Sequence, residues 1–353
     1  MSKMDYRVLC TRIVVSGHAQ ALTEKRGVVR RKHWQSCLGL PLLVSLLCVP
    51  LAGYSQAFPS KPIRLVVPFQ AGGGNDLLAR IISQKFLEKW GQPVIVDNRP
   101  GAGGNVGADF VAKSAPDGHT ILLATNTLTM NPFIFARMPF DTQKDFAPVA
   151  MLATTPFYVV VNNNLPVKSI PELIAYAKAN PGKLSYATPG IGTPHHLGTE
   201  LFKSMTGTYM VHIPYKGSIP ALTDVIGGQV QVMWATVNVA LPMVTSGKVR
   251  GLALAEPKRT TSLKDVPVVA ETIPGYQVSA WYGIFAPAAT PPAIVQQMSA
   301  ELQQIFQQAD VQARLIPLGY EMSIGNAEQA RAIVASDLDR WGKLVKAVGI
   351  KAE

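Results

Sequence analysis

Past residue 57 the sequence of 353 residues contains no cysteine, its three (Cys10, Cys37 and Cys48) all lying earlier. The remaining chain therefore has no disulfide, no thiolate metal site and no cysteine nucleophile. Charge is also scarce, at 16% of residues against 48% hydrophobic. So apolar a chain can bury a large core, which excludes general disorder. Long hydrophobic runs are missing: only residues 38–52 approach a membrane span, and Pro41 and Pro50 interrupt them. A multi-span transporter is thereby excluded. No basic run interleaved with aromatics follows residue 57, which argues against a nucleic-acid partner. There is no GxSxG, SxxK or HExxH pattern, and no P-loop lysine after a glycine run.

The basic residues that are present gather near the start. Lys25, Arg26, Arg30, Arg31 and Lys32 precede the apolar stretch 38–47, and Ser55-Gln56-Ala57 follows it. A positive segment, a short apolar one and a small-x-small site make a secretory signal peptide over residues 1–57, with cleavage expected after Ala57. Leu47 before Cys48 speaks against lipid attachment, and nothing around Arg30-Arg31 supports twin-arginine export. Of 33 Lys and Arg, eight fall before residue 58, as do two of 22 acids, so the formal charge drops from +11 to +5. Such a mild balance suits an anionic ligand and equally an ordinary solvated surface.

Beyond residue 57, β-like runs alternate with helical patterns. Strands are expected at 63–69, 93–97, 120–125, 184–187, 209–213, 230–234 and 251–255. Helices are expected at 75–90, stopped by Gly91, at 170–180 behind a Ser169/Glu172 capping box, and near 197–206 and 218–227. A further helix should start with Thr290 as N-cap and Pro291 at N1, and a last one at Asn326 with Gln329 at N3, burying Ile333, Val334, Leu338 and Trp341. Alternation over about 300 residues argues for an α/β fold with mostly parallel sheets, helix-flanked, in two lobes.

Chemistry concentrates where strands turn into helices. Pro68, Phe69, Gln70 and Ala71 lead into Gly72, Gly73 and Gly74, then Asn75 and Asp76. Glycines let the backbone turn sharply and come close to a ligand, while free amides at the helix start attract an anion. A second loop runs Thr188, Pro189, Gly190, Ile191, Gly192, Thr193, Pro194, His195, His196. With Thr193 as N-cap and Pro194 at N1, the amides of His195 and His196 are expected to be free for an oxyanion. Neighbouring histidines on a helix point about 100° apart and rarely grip one metal ion, so no metal or other cofactor is expected. The third glycine loop, at 100–107, fails the dinucleotide fingerprint because Val106 stands where glycine is needed.

With these motifs the sequence resembles the substrate-binding receptors of tripartite tricarboxylate transporters, the Bug-type periplasmic proteins. The resemblance runs from Phe58 to the C-terminus. Its markers include Val67-Pro68-Phe69 with Ala71-Gly72-Gly73 and Asp76, Asn98-Arg99-Pro100-Gly101, Gly192-Thr193 with His196-Leu197, Pro214-Tyr215-Lys216-Gly217 and Trp281-Tyr282-Gly283. It implies a clamshell with lobe one at 58–160 plus 284–353 and lobe two at 161–283, joined near 158–162 and 279–285. It implies a monomer without catalysis that holds a small mono-, di- or tricarboxylate on loops 69–76 and 188–196, with Thr125 and Asn126 as further contacts, and that serves the transporter's membrane subunits. Where the family usually has aspartate this chain has Ala235, which would disfavour amino-bearing ligands. Two alternatives remain open: a secreted hydrolase-like enzyme on the same scaffold, and a ligand sensor for a membrane signalling protein.

Overall fold

The computed structural model describes residues 58–260 and 263–349. The signal peptide expected over 1–57 lies outside the described residues. Among the described residues ten strands and ten α-helices follow one another: β1 (Ile63–Val67), α1 (Gly74–Trp90), β2 (Val94–Asn98), α2 (Asn105–Ala112), β3 (Thr120–Thr125), α3 (Thr127–Met130), β4 (Phe146–Val161), α4 (Ile170–Ala179), β5 (Ser185–Thr188) and α5 (Pro194–Thr206). Then come β6 (Val211–Pro214), α6 (Ser218–Ile226), β7 (Val232–Thr236), α7 (Val237–Thr245), β8 (Arg250–Leu254), β9 (Ser279–Pro287), α8 (Pro292–Gln307), α9 (Ala309–Leu315), β10 (Glu321–Gly325) and α10 (Ala327–Val348).

The strands join in the order β2-β1-β3-β9-β4-β7-β5-β6, with β10 and β8 also on β4. Pairing is parallel at the two outer parts, β2-β1-β3 and β7-β5-β6, as right-handed strand–helix–strand units require. It is antiparallel wherever β4 or β9 takes part. The mixed character comes from β4, a 16-residue strand that serves two halves of the sheet. Its residues 146–156 pair with β9, and Phe157–Val161 pair with β7. The chain thus changes halves at 156–157, and again at 278–279 on entering β9, a few residues ahead of the joins read from the sequence.

Most expected helix signals are realised in geometry. Thr193 Oγ1 accepts from the His196 amide at 3.4 Å, capping α5. At α10 the Asn326 and Gln329 side chains and amides satisfy each other in a full capping box. Ser169 caps α4, but Glu172 accepts from the Lys168 amide instead of closing the box on Ser169. The start of α8 is a correction: its N-cap is Pro291 and its first residue Pro292, so the Thr290 hydroxyl is no cap and is buried without a partner. Proline's φ suits the first helical position, and the second of the two prolines takes it.

The main core packs Ile63, Leu65 and Val67 of β1 against Leu78, Ile82 and Phe86 of α1, and continues through Phe157, Tyr186 and Trp234. A second cluster joins Val160, Ala221, Met233, Ala235 and Leu254. These clusters fix the strand ends, and with them the loops that carry the candidate site. Among the described residues no helix is long and apolar enough to cross a membrane.

Candidate ligand-binding cleft

Two loops that lie 120 residues apart in sequence face one cavity. It has a volume of about 490 Å³, open solvent at its mouth included, and both Phe69, Gln70, Gly73, Gly74 and Asn75 and Thr193 and His195 line it. Thr125 at the end of β3 completes the part expected from sequence. Pro189, Pro194, Ser218, Thr236, Ala280 and Tyr282 add the rest.

Helix starts dominate this wall. Gly73 is the N-cap of α1, Thr193 that of α5 and Thr236 that of α7, and Ser218 is the first residue of α6. Each start carries a partial positive charge, about half an elementary charge per helix, from amides without an intrahelical partner. At α1 the Gly73 cap brings no side chain to occupy those amides. No lining residue is charged. The cavity is therefore electropositive through main-chain dipoles alone.

Side chains add unspent hydrogen-bonding capacity. Asn75 Nδ2 is buried without a partner, and so are both ring nitrogens of His195. His195 is 7% exposed, and the edge of its ring contact is Phe157, 4.7 Å between centroids. Burial pushes its pKa down to about 3, so the ring is neutral at ordinary pH and offers one donor and one acceptor. Buried polar atoms without partners are rare, and three of them in one cavity signal a place where a ligand or water completes the bonding.

Around the cavity, a layer of side chains ties the two loops down. Asp76 is 4% exposed and accepts from the Gly72 amide at 3.1 Å, from Arg80 at 2.8 and 3.3 Å and from Asn98 at 3.2 Å. Burial alone would raise its pKa, and the hydrogen bonds from Arg80, Gly72 and Asn98 outweigh that and hold it below the ordinary carboxylate value. Asn98 also donates to the Phe69 carbonyl. On the other side, Thr188 Oγ1 bonds Gly190 and His212, and Thr193 Oγ1 donates to the Gly190 carbonyl at 2.7 Å. His196 accepts at Nδ1 from the Gly192 amide and stacks on His212 at 4.2 Å. Burial, helped by the Lys203 charge, lowers its pKa to about 4, which keeps that acceptor free of a proton.

Residues 78–350 match the model of the tripartite tricarboxylate transporter family receptor. The chain belongs to that family of receptors. A UPF0065 protein from the tcbD-tcbE intergenic region of Pseudomonas sp. (strain P51) is 40% identical over 292 residues, 82% of this chain and 87% of that one. Among solved structures, R. palustris Rpa4515 with adipate superposes with a TM-score of 0.81 at 34% identity, covering 84% of this chain and all of the other. MatC from Rhodopseudomonas palustris with bound malate gives 0.79 at 32%, covering 82% of this chain and 100% of that one. The clamshell fold of periplasmic binding proteins is thus shared.

Within this receptor, the residues singled out from sequence divide into two groups. Phe69, Gln70, Gly73, Gly74, Asn75, Thr125, Thr193 and His195 reach the cavity wall. Ala71 and Gly72 are exposed on the outer turn of the first loop, and Asp76, Thr188, Gly190, Gly192 and His196 shape the loops from behind. Asn126 is committed elsewhere: it accepts from the Trp281 amide and donates to Asp337. The expected free amide of His196 is a correction, since Thr193 Oγ1 occupies it. The Ala235 side chain lies in the apolar cluster with Tyr158 and Ala187, off the cavity. Ser218, Thr236, Ala280 and Tyr282 were not read from sequence as cavity residues, although Gly217-Ser218 and Thr236 stand at strand-to-helix turns like the two loops that were recognised. Among the described residues no group of three or more His, Cys, Asp or Glu is arranged to hold a metal ion.

Proposed function

We propose that this chain is a periplasmic solute receptor for a small carboxylate, with a dicarboxylate of the adipate or malate type as the ligand class. The observation that carries this reading is the convergence of four helix starts on one uncharged cavity. Main-chain amides supply an anion with hydrogen bonds and positive potential without the desolvation cost of a buried cation. The relatives with adipate and malate bound support the same ligand class.

Residues 69–76, Thr125, Asn126 and residues 188–196 would be the ligand loops and their supports, with lobes at 58–160 plus 284–353 and at 161–283. The ligand would stabilise the closed over the open arrangement because only the closed one brings both loops to it. The chain would act in the periplasm after cleavage near Ala57, as a monomer, and deliver its ligand to the membrane subunits of a tripartite transporter. The receptor family supports binding without turnover.

A thermal-shift screen of the exported protein, unfolded and refolded to strip any carried ligand, tests this reading. A ligand at about 100 times its dissociation constant adds roughly 2.7 kcal/mol, a readily measured rise in Tm. Dicarboxylates are expected to raise Tm, and their dimethyl esters and matching diamines to leave it unchanged. A rise with the esters, or none with any carboxylate, contradicts the reading.

A further inference from the structure

The glycine loop at 100–107 is not part of the cavity wall, yet it meets the second ligand loop directly. Gly103 has φ of +60°, and a Cβ built on it would lie far inside the 3.0 Å that real Cβ atoms keep, against the carbonyl oxygen of Ile191. That obstacle is backbone, so no side-chain rotation relieves it. The same happens in reverse at Gly192, φ +79°, where a Cβ would run into Asn131 Oδ1. Asn131 is fixed in place: its Nδ2 donates to the Gly103 carbonyl at 3.1 Å and to Asn105 Oδ1 at 2.7 Å, and its Oδ1 is buried with no hydrogen bond. Gly103 and Asn131 belong to the half of the sheet built on β1 and β3, Ile191 and Gly192 to the half built on β5. In each pair the glycine turns a Cα hydrogen toward an oxygen of the other half, the arrangement of a weak Cα–H···O contact.

We propose that Gly103, Asn131 and Gly192 form a seam that sets how far the receptor closes, Gly103 and Asn131 being positioning residues that act on the ligand through the Ile191–Gly192 backbone. The proposal rests on the reading above that the two lobes close on a ligand. A methyl group at 103 props the halves apart, so the closed population falls while each half keeps its own fold. An affinity that requires the closed state falls with that population.

A ligand-free crosslinking assay tests it. Gln70 Cβ lies 3.1 Å from the position a Cβ on Gly217 would take, across the same closure. Disulfides need Cβ atoms about 3.5–4.5 Å apart, a small relaxation from there. The full chain with Cys10, Cys37 and Cys48 changed to Ser then receives Gln70→Cys with Gly217→Cys. Adding Gly103→Ala is expected to slow disulfide formation by about tenfold or more, because the rate follows the closed population. Gly91→Ala is the matched control: φ there is +65°, with nothing within 4 Å of the added methyl. It carries the same backbone strain without the seam and is expected to leave the rate within about twofold of the parent. If Gly103→Ala does not fold, Gly192→Ala tests the seam from the other side. Equal rates for the Gly103 and Gly91 variants, or a parent pair that never crosslinks, overturn the proposal. No ligand enters the assay, so a receptor that binds no carboxylate would show itself separately in the thermal-shift screen.

Discussion

His195 carries the sharpest contrast between stability and binding. The protein itself offers its two buried ring nitrogens no hydrogen-bond partner, and a buried polar group left unsatisfied costs about 1–3 kcal/mol. His195→Phe removes both atoms, keeps a ring of similar shape beside Phe157, and should leave Tm unchanged or slightly raised. The same substitution takes a hydrogen-bonding side chain from the cavity, so carboxylate affinity should fall by about 1–2 kcal/mol, near tenfold. Melting and calorimetric titration of the one variant check both halves; a lower Tm with unchanged affinity would place His195 in the scaffold instead. Asp76 shows the opposite allocation. Its carboxylate accepts from Gly72, Arg80 and Asn98 and so shapes the first loop. Sequence alone marked both residues as contacts, because a loop motif identifies the residues that build a site without saying which of them face inward. Ser218 and Thr236 were passed over for the complementary reason: neither stands in a glycine-rich run, the feature that drew attention to the other loops.

At the scale of elements, the parallel units were legible and the central strands were not. β3 falls at 120–125 as expected, and α1, α5, α6 and α10 start within a few residues of their sequence signals. Those elements carry local information: an N-cap, a glycine stop, an apolar stripe. β4 carries little of it. Its run of Phe, Val, Met and Leu has no alternation, because 14 of its 16 residues are buried and it is paired in turn with β9, β10, β7 and β8. It also contains Pro148 and Pro156, which argue against a strand. The structure seats Pro148 at a register shift in the ladder to β9 and Pro156 at the last residue before the pairing passes to β7. Both prolines thus sit where a ladder hydrogen bond is dispensable. The mixed topology follows from this strand, and tertiary pairing of that kind leaves no short-range trace.

For the whole molecule, titration links the buried histidines to stability. Burial lowers His195 to about 3; burial with the Lys203 charge lowers His196 to about 4; burial with the His196 and Lys203 charges lowers His212 to about 3, against the Glu200 charge. Between those values and the ordinary 6.5, the unfolded chain binds protons that the folded chain refuses, so stability falls as pH drops below about 6.5. Glu256 acts with the opposite sign. Burial and the Glu321 charge raise it to about 8 against Arg340, so its contribution is full below about 4.5 and is lost as pH rises through about 8. Three histidines outweigh one glutamate on the acid side, and Glu256 alone acts above, which puts the maximum near pH 6.5. Melts across the range are expected to show that peak, with the alkaline fall flattened in Glu256→Gln. A Tm still rising at pH 8 would refute the assignment.

The central claim is that main-chain amides at two helix starts, with no charged side chain, hold a carboxylate between the halves of the sheet. A crystal structure of residues 58–353 grown with a bound dicarboxylate tests it most directly. The account predicts a carboxylate within hydrogen-bonding distance of the α1 amides at Gly74 and Asn75 and of the α5 amide at His195. A ligand gripped by a lysine or arginine, or seated away from these two helix starts, would contradict it.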